Sequence, residues 1–562
     1  MSAKTIYESW LNNPGLDEGI RKELEAISGD EKEIEERFYR ELEFGTAGLR
    51  GILGAGTNRM NIYTVAKATQ GLADYINSRE NAGYAANAVA IAYDSRHMSP
   101  EFADISASVL NANGIKAYVF ESLRPTPELS FAIRYLKCIA GINVTASHNP
   151  AEYNGYKVYW EDGAQVSEPF DQQIMDCVNK VEDMLSPKLM PKQEAIDKGL
   201  YVQIGEEVDN AFMDAVYETV REKELVKERG SEVRIVYTPL HGAGIKIVPK
   251  LLKKAGFTDV HVVKEQEEPD GAFPTVAYPN PEVKEALKLA HELAVKVDAD
   301  LVIGTDPDSD RMGVMVKDHE GNFRNLTGNL IGCMLCEYEL RSLKESGRLA
   351  PDSYVVRSIV SSQLADQVAA AYGAELKEVL TGFKWIGRKI LESEQTGKGT
   401  FIFGFEESCG YLAGPYARDK DACGATLSMS EACIFYKSKG MSLWDVAQDM
   451  YKRYGFVQEE TISITRAGQE GLKEIAGIMD KLRNEPYEKI AEYPVVKFRD
   501  FTKPEETGFA KTNALYYTLE NGWVCVRPSG TEPKIKYYIG VRADSPENAQ
   551  KMVDEIRTFM VG

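Results

Sequence analysis

The sequence predicts an α/β protein: three similar mixed α/β sheet domains, then a smaller C-terminal α+β domain, set around a central cleft. Three observations carry that expectation. Short apolar runs alternate with helical patterns along most of the chain, as strand–helix units require. Three successive stretches each end in the same way, with an apolar strand opening into a polar loop rich in reactive side chains. Beyond Val457 the pattern changes to strand-like runs and a closing helix. At 562 residues the chain exceeds a single hydrophobic core, and no low-complexity linker divides it, so its parts are expected to pack together. The expected domains are 1–205, 206–325, 326–457 and 458–562.

An acidic helical stretch, Asp30 to Glu43, precedes Gly45-Thr46-Ala47-Gly48-Leu49-Arg50-Gly51. A helix around Val65 to Ile76 leads to strand Val89 to Tyr93 and the loop Asp94-Ser95-Arg96. The run Ile139 to Val144 reads as a buried parallel strand, and it opens into Thr145-Ala146-Ser147-His148-Asn149-Pro150. A residue before proline is pushed out of helical space, so Asn149-Pro150 halts regular structure and leaves Ser147 on a sharp loop. The second stretch runs from strand Val233 to Tyr237 through helices Ile247 to Lys254 and Pro281 to Val297. It ends at strand Asp300 to Gly304. The third begins near Leu326, with strand Tyr354 to Val356, helix Leu364 to Ala371, loop Thr381-Gly382-Phe383-Lys384 and strand Thr400 to Phe403. In the last part, strands Trp523 to Val526 and Lys536 to Val541 flank a loop, and a helix follows Ser545.

Composition narrows the partners. Hydrophobic residues make up 43% and charged residues 27%, the proportions of a soluble globular protein. Lys and Arg number 66 against 86 Asp and Glu, and the resulting charge of −20 disfavours a general binder of nucleic acid or of anionic membranes. No apolar run approaches the roughly 20 residues of a membrane span. The N-terminal residues lack the apolar core of a signal peptide, and the expected compartment is the cytoplasm. Cys333 and Cys336 form a C-x-x-C, but inside a helical apolar pattern with no second ligand pair nearby. They are expected to be buried small hydrophobes. Cys409, beside a polar loop, is the thiol to watch.

Each loop carries its own chemistry. Asp306, Asp308 and Asp310, in Gly304-Thr305-Asp306-Pro307-Asp308-Ser309-Asp310-Arg311, gather hard oxygen ligands that suit Mg²⁺ or Ca²⁺. An EF-hand is disfavoured, because Arg311 holds the place of its glycine and Lys317 that of its bidentate glutamate. A solvated acidic turn and an Asp-x-Asp phosphatase loop are the other readings. Glu406 and Ser408 stand two apart on an extended loop, where they can face one side and grip sugar hydroxyls. Arg527, Ser529, Gly530 and Thr531 supply a guanidinium, two hydroxyls and open backbone N–H groups, the parts of a phosphate cradle; a plain hairpin turn is the alternative.

Taken in order, these loops resemble those of the α-D-phosphohexomutase superfamily over essentially the whole chain. That family carries a T-A-S-H-N-P phosphoserine loop, a D-x-D-x-D-R metal loop, a G-E-x-S sugar loop and an R-P-S-G-T-E-P phosphate loop. The first, second and fourth are intact here; in the third, Phe405 replaces the glycine before Glu406. The G-T-A-G-L-R-G stretch and Thr381-Gly382-Phe383-Lys384-Trp385 look most like the branch holding phosphoglucomutases and phosphopentomutases.

The resemblance implies a phosphosugar mutase acting on a small-molecule sugar phosphate. Ser147 would be the phosphate carrier and, with Asp306, Asp308 and Asp310, would hold Mg²⁺. Glucose 1,6-bisphosphate would be intermediate and activator. Arg50 and Arg311 would orient the serine phosphate. Lys157, in Asn154-Gly155-Tyr156-Lys157, is the preferred acid/base and His148 the competitor. Thr381, Gly382, Glu406, Ser408 and Lys420 would bind the sugar. The cradle of Arg527, Ser529, Gly530 and Thr531 would hold the phosphate that is not reacting. Glucose phosphate is the first expectation for substrate, then pentose phosphate, then mannose phosphate. The rivals are an aspartyl-phosphate phosphatase and a non-catalytic sugar-phosphate-binding relative.

Overall fold

The computed structural model describes residues 2–43, 45, 48–79, 87–466, 468–529 and 534–562. Three helices, Ala3–Leu11, Glu18–Ala26 and Glu31–Phe38, open the chain and share a small core of Tyr7, Trp10, Leu24 and Phe38. The acidic stretch therefore stops being helical at Phe38, earlier than expected. Its N-terminus is fixed by Asp30, whose carboxylate accepts the N–H groups of Lys32 and Glu33.

The first sheet contains β1 (Gly48–Ile52), β2 (Ala88–Tyr93), β3 (Lys116–Phe120), β4 (Ala140–Val144), β5 (Tyr153–Trp160) and β6 (Tyr201–Ile204), in the order β1-β5-β4-β2-β3-β6. The second contains β7 (Ile235–Thr238), β8 (Val260–Val262), β9 (Leu301–Thr305), β10 (Met312–Lys317) and β11 (Phe323–Asn325), ordered β11-β10-β9-β7-β8. The third is β13-β12-β14-β15, made of β12 (Ser353–Ser358), β13 (Glu375–Val379), β14 (Thr400–Glu406) and β15 (Gly410–Ala413).

The repeat expected from the sequence is a common four-strand unit. In β3-β2-β4-β5, β8-β7-β9-β10 and β13-β12-β14-β15, the first three strands are parallel and the last is antiparallel. Each motif loop joins the third parallel strand to its antiparallel neighbour. The three loops thus occupy equivalent places at strand C-terminal ends, where open α/β sheets bind ligands.

One expected helix is shorter than the pattern suggested. Residues 281–287 form turns, and the helix runs only over Lys288–Val297. Pro281 and Leu287 instead pack on β9 and β10: a Cβ on Gly313 would lie 2.2 Å from Pro281 O, and one on Gly304 2.4 Å from Leu287 Cδ2. Tertiary packing overrides the helical pattern there.

The last sheet is antiparallel throughout. Its strands are β16 (Phe456–Thr465), β17 (Lys489–Ile490), β18 (Tyr493–Asp500), β19 (Leu515–Leu519), β20 (Gly522–Pro528) and β21 (Lys534–Ala543), ordered β16-β21-β20-β19-β18-β17. Its core draws on Ile475 and Met479 of helix Gly468–Asn484 and on Val553 and Ile556 of helix Pro546–Val561.

Candidate active site

Ser147 follows β4 in the left-handed region, at φ 50°, and is 3% exposed. A non-glycine residue held there costs on the order of 1–3 kcal/mol, so its neighbours must over-determine it. They do. Thr145 Oγ1 accepts Ser147 N–H at 2.7 Å and donates to Asp94 Oδ2 at 2.6 Å. Arg96 Nη1 donates to Pro150 O at 2.8 Å and Tyr153 O at 3.0 Å, while Nη2 donates to Ser147 O and Asn149 O. Four carbonyls of one loop are thereby fixed by a single buried guanidinium. Asp94 faces it, 3.4 Å from Nε.

Ser147 Oγ reaches across to the second loop and donates to Asp306 Oδ2 at 2.6 Å. His148 Nδ1 lies 3.1 Å from the same oxygen. Burial, then Arg311 and Arg50, push the His148 imidazole well below its ordinary range, which leaves the ring neutral near pH 7. Arg50 Nη1 donates to Asn149 Oδ1 at 3.1 Å.

The three aspartates are buried, and one oxygen from each lies within 4.8 Å of the others. Asp306 Oδ1 accepts the N–H groups of Asp310 and Arg311, each at 3.0 Å, which closes the loop. Asp308 Oδ2 accepts Thr126 Oγ1 at 2.8 Å and Lys157 Nζ at 3.1 Å. Asp308 Oδ1 and Asp310 Oδ1 have no hydrogen-bond partner among the described residues. Burial, then Asp308 and Asp310, push Asp306 well above the carboxylate range. Burial acts the same way on Asp308, but Lys157, the hydrogen bond with Asp306, Lys420 and Thr126 together outweigh it and hold that group low. Hard oxygens this close, with unsatisfied lone pairs, fit a divalent cation such as Mg²⁺.

Cations from both flanking domains ring the cluster. Lys420 Nζ stands 2.9 Å from Asp310 Oδ2 and 3.4 Å from Asp419 Oδ1. Burial opposes its charge, yet Asp310 and Asp419 hold its pKa above the ordinary lysine value. Arg311 points away to Glu282, with Nη1 at 3.1 Å from Oε1.

The third loop explains the sequence's one departure from its resemblance. Side chains alternate along β14, so Phe405 turns inward while Glu406 turns to the loop side. Phe405 is 1% exposed and packs on Gly332, where a Cβ would lie 2.2 Å from Phe405 Cδ2. A glycine in helix Gly328–Glu345 therefore accommodates the ring. Glu406 Oε1 accepts Gly382 N–H at 2.6 Å, which joins the Thr381–Gly382 turn to the third loop. Burial, then Glu407, push Glu406 up to about 7. Thr381 Oγ1 is buried with no hydrogen-bond partner among the described residues, and Ser408 is half-buried. Cys409 is 1% exposed, and burial raises its thiol well above the ordinary value, so it is not a reactive cysteine. Its carbonyl accepts Met312 N–H at 3.0 Å, tying the third loop to β10.

Arg527 lies near the end of β20, and Ser529 follows that strand. Ser529 N–H donates to Lys534 O at 2.7 Å. Burial raises the Glu407 carboxyl above its ordinary value, and a backbone hydrogen bond and the Arg527 charge offset only part of that rise. Gly530 and Thr531 lie outside the described residues. Sequence reasoning gave no role to Asp94, Arg96, Thr126 or Thr145. For Asp94 and Arg96 a signal existed, since both follow apolar β2 as Ser147 follows β4.

Comparison with known proteins agrees with this arrangement. Four family models match in chain order: phosphoglucomutase/phosphomannomutase alpha/beta/alpha domain I over 41–184, domain II over 210–321, domain III over 327–454 and the C-terminal domain over 465–558. The chain is 38% identical to a phosphoglucomutase of Staphylococcus epidermidis over 98% of its own length and 100% of that protein. The chain belongs to the phosphoglucomutase/phosphomannomutase family. Among solved structures, a putative phosphomannomutase from Thermus thermophilus superposes with a TM-score of 0.69 at 20% identity, over 93% of this chain and 100% of that one. An N-acetylphosphoglucosamine mutase of Aspergillus fumigatus, solved in complex with GlcNAc-6P and magnesium, gives 0.51 at 13% identity, over 96% and 98%. Both share the fold.

Proposed function

We propose that this protein is a phosphoglucomutase, interconverting α-D-glucose 1-phosphate and glucose 6-phosphate through a phosphoserine at Ser147 and a glucose 1,6-bisphosphate intermediate. One observation carries the reading most directly: a strained, over-determined serine whose Oγ sits 2.6 Å from a carboxylate of a buried aspartate triad. The Staphylococcus epidermidis relative, named phosphoglucomutase and matched along its whole length, supports the substrate.

Asp306, Asp308 and Asp310 would hold Mg²⁺, which supplies Lewis-acid neutralisation of charge on the transferring phosphoryl group. The protein's residues do the rest. The sugar hydroxyl attacks phosphorus, the new sugar O–P bond forms, and the Ser147 Oγ–P bond breaks. Lys157, 10% exposed and beside the triad, takes the hydroxyl proton as the free amine, and one proton returns to the departing Ser147 Oγ, so the step balances. His148, neutral and 3.1 Å from Ser147 Oγ, orients that oxygen. Glu406 and Ser408 receive ring hydroxyls, and the Thr381–Gly382 turn positions Glu406. Arg527, Ser529, Gly530 and Thr531 hold whichever phosphate is idle, so the bisphosphate can turn over and return its other phosphoryl group to Ser147. Arg50, Arg311 and Lys420 balance charge around the transfer.

The cytoplasm is the proposed compartment. All eight cysteines are free thiols, as a reducing compartment permits. No helix among the described residues is long and apolar enough to cross a membrane.

The test is to incubate the chain with Mg²⁺ and glucose 1,6-bisphosphate, locate the phosphate by mass spectrometry, and compare kcat/KM for glucose, ribose and mannose 1-phosphates. Phosphate on Ser147 and a preference for glucose are expected. Phosphate on an aspartate would move the reading to a phosphatase, and a higher value for ribose or mannose would change the substrate.

A further inference from the structure

A cavity of about 930 Å³ in the first domain shares no lining residue with the four loops. Half-buried Ile20, Leu53, Ile62, Ile105 and Met190 give it apolar walls, and Leu189, 52% exposed, stands at its edge. Its volume is that of a small-molecule site. Two of its walls, helix Glu18–Ala26 and the segment around Leu189 and Met190, lie outside the spans 41–184 and 210–321 matched by the first two family models. The cavity is therefore lined partly by residues outside the spans that those two models match.

Its polar groups favour one sign. The lining includes Asp17, Glu23, Glu101 and Asp104 but a single cation, Lys192. Arg37 neutralises Glu23, and Lys192 lies 3.0 Å from Asp104, so the lining carboxylates without an ion pair among the described residues are Asp17, which caps helix Glu18–Ala26 by accepting Ile20 N–H, and Glu101, in the first turn of helix Ser99–Ala112. Asn111 also lines the cavity. It is 0% exposed, and its Oδ1 accepts no hydrogen bond among the described residues. A buried acceptor without a donor is costly and is met by a ligand's N–H group.

Two walls connect directly to the serine loop. Met98, in the left-handed region at φ 66°, starts helix Ser99–Ala112 and lies two residues beyond Arg96, which holds the loop's carbonyls. Leu53 N–H donates to Glu152 O at 2.8 Å, at the point where that loop enters β5.

We propose that this cavity is an effector site for a small organic cation, with an apolar body and one ammonium group, whose binding alters phosphoryl transfer at Ser147 through the Arg96 loop and Leu53. The apolar walls take the body, and the carboxylates with Asn111 Oδ1 take the ammonium.

Tryptamine is a suitable probe, and indole-3-acetate, with the same ring and the opposite charge, is its control. Titrated into the full chain by calorimetry, tryptamine should bind with Kd on the order of 1 mM or below. Indole-3-acetate should bind at least about tenfold more weakly, and Glu101→Gln should narrow that gap. Leu189→Trp changes an exposed position and fills the cavity mouth, so it should fold normally and weaken tryptamine about tenfold or more. Saturating tryptamine should change mutase turnover about fivefold or more, and Leu189→Trp should abolish that response while keeping basal turnover. Equal binding of the two indoles, no tryptamine binding, binding unaffected by Leu189→Trp, or binding without any change in turnover would each overturn the proposal. The binding measurements stand whichever sugar the enzyme prefers.

Discussion

Arg96 directs its guanidinium to main-chain carbonyls of the serine loop and so acts as a positioning residue, not as a group that touches substrate. Lysine would keep the charge and lose the planar fork that reaches four acceptors. Arg96→Lys is expected to lower kcat about 10²-fold with little change in KM, measured by steady-state kinetics. An unchanged kcat with raised KM would place Arg96 in substrate binding instead. Ser147→Ala should reduce turnover by on the order of 10³-fold or more while its thermal midpoint stays near that of the unaltered chain. Ser147 and the three aspartates were legible in the sequence because each sits immediately after an apolar strand and carries its chemistry locally. Thr126 was not: its partner Asp308 lies 182 residues away, and only the fold brings the two hydrogen-bonding groups together.

The motif loops belong to one element, a parallel strand joined to an antiparallel neighbour, used three times. Strand periodicity and loop polarity made that element readable before its pairing was known. The helix expected from Pro281 was misread, because Pro281 and Leu287 serve β9 and β10 at contacts that no local pattern encodes. Phe405 and Gly332 form a second pairing of this kind. Gly332→Ala should destabilise the third domain by about 1–3 kcal/mol through overpacking against the ring. Combined with Phe405→Leu, the cost should be smaller than the sum of the two single changes by at least about 0.5 kcal/mol, read from denaturant midpoints. Simple additivity would mean that the ring and the glycine do not share the space.

At the scale of the molecule, two features hold the domains together. Helix Ala422–Ser438 is buried on nearly all sides and packs on the second and third sheets. Within it, Glu431 Oε1 accepts Arg221 N–H at 2.7 Å and Glu222 N–H at 2.6 Å, and burial pushes its carboxyl up to about 8. A raised acid binds its proton more tightly in the folded state. Its contribution to stability is thus complete below the ordinary glutamate value and is lost as pH rises to about 8. Glu431→Gln should flatten the pH dependence of the thermal midpoint between about pH 5 and 8, and an unchanged slope would assign that dependence elsewhere. The aspartate triad is the second feature, since Thr126 and Lys157 approach it from the first domain and Lys420 from the third. Chelation should abolish turnover, Mg²⁺ should restore it, and the melting temperature of the chelated chain should rise with added Mg²⁺.

Over the proposed cycle Ser147 alternates between a neutral hydroxyl and a phosphate ester. The groups that hold its backbone, Arg96 through carbonyls and Thr145 through an amide, engage atoms that neither gain nor lose charge in that exchange. The contacts of Oγ itself, to Asp306 and to His148, are the ones that must be replaced. The loop therefore keeps one geometry through both halves of the reaction, and the reorganisation energy of each transfer stays small.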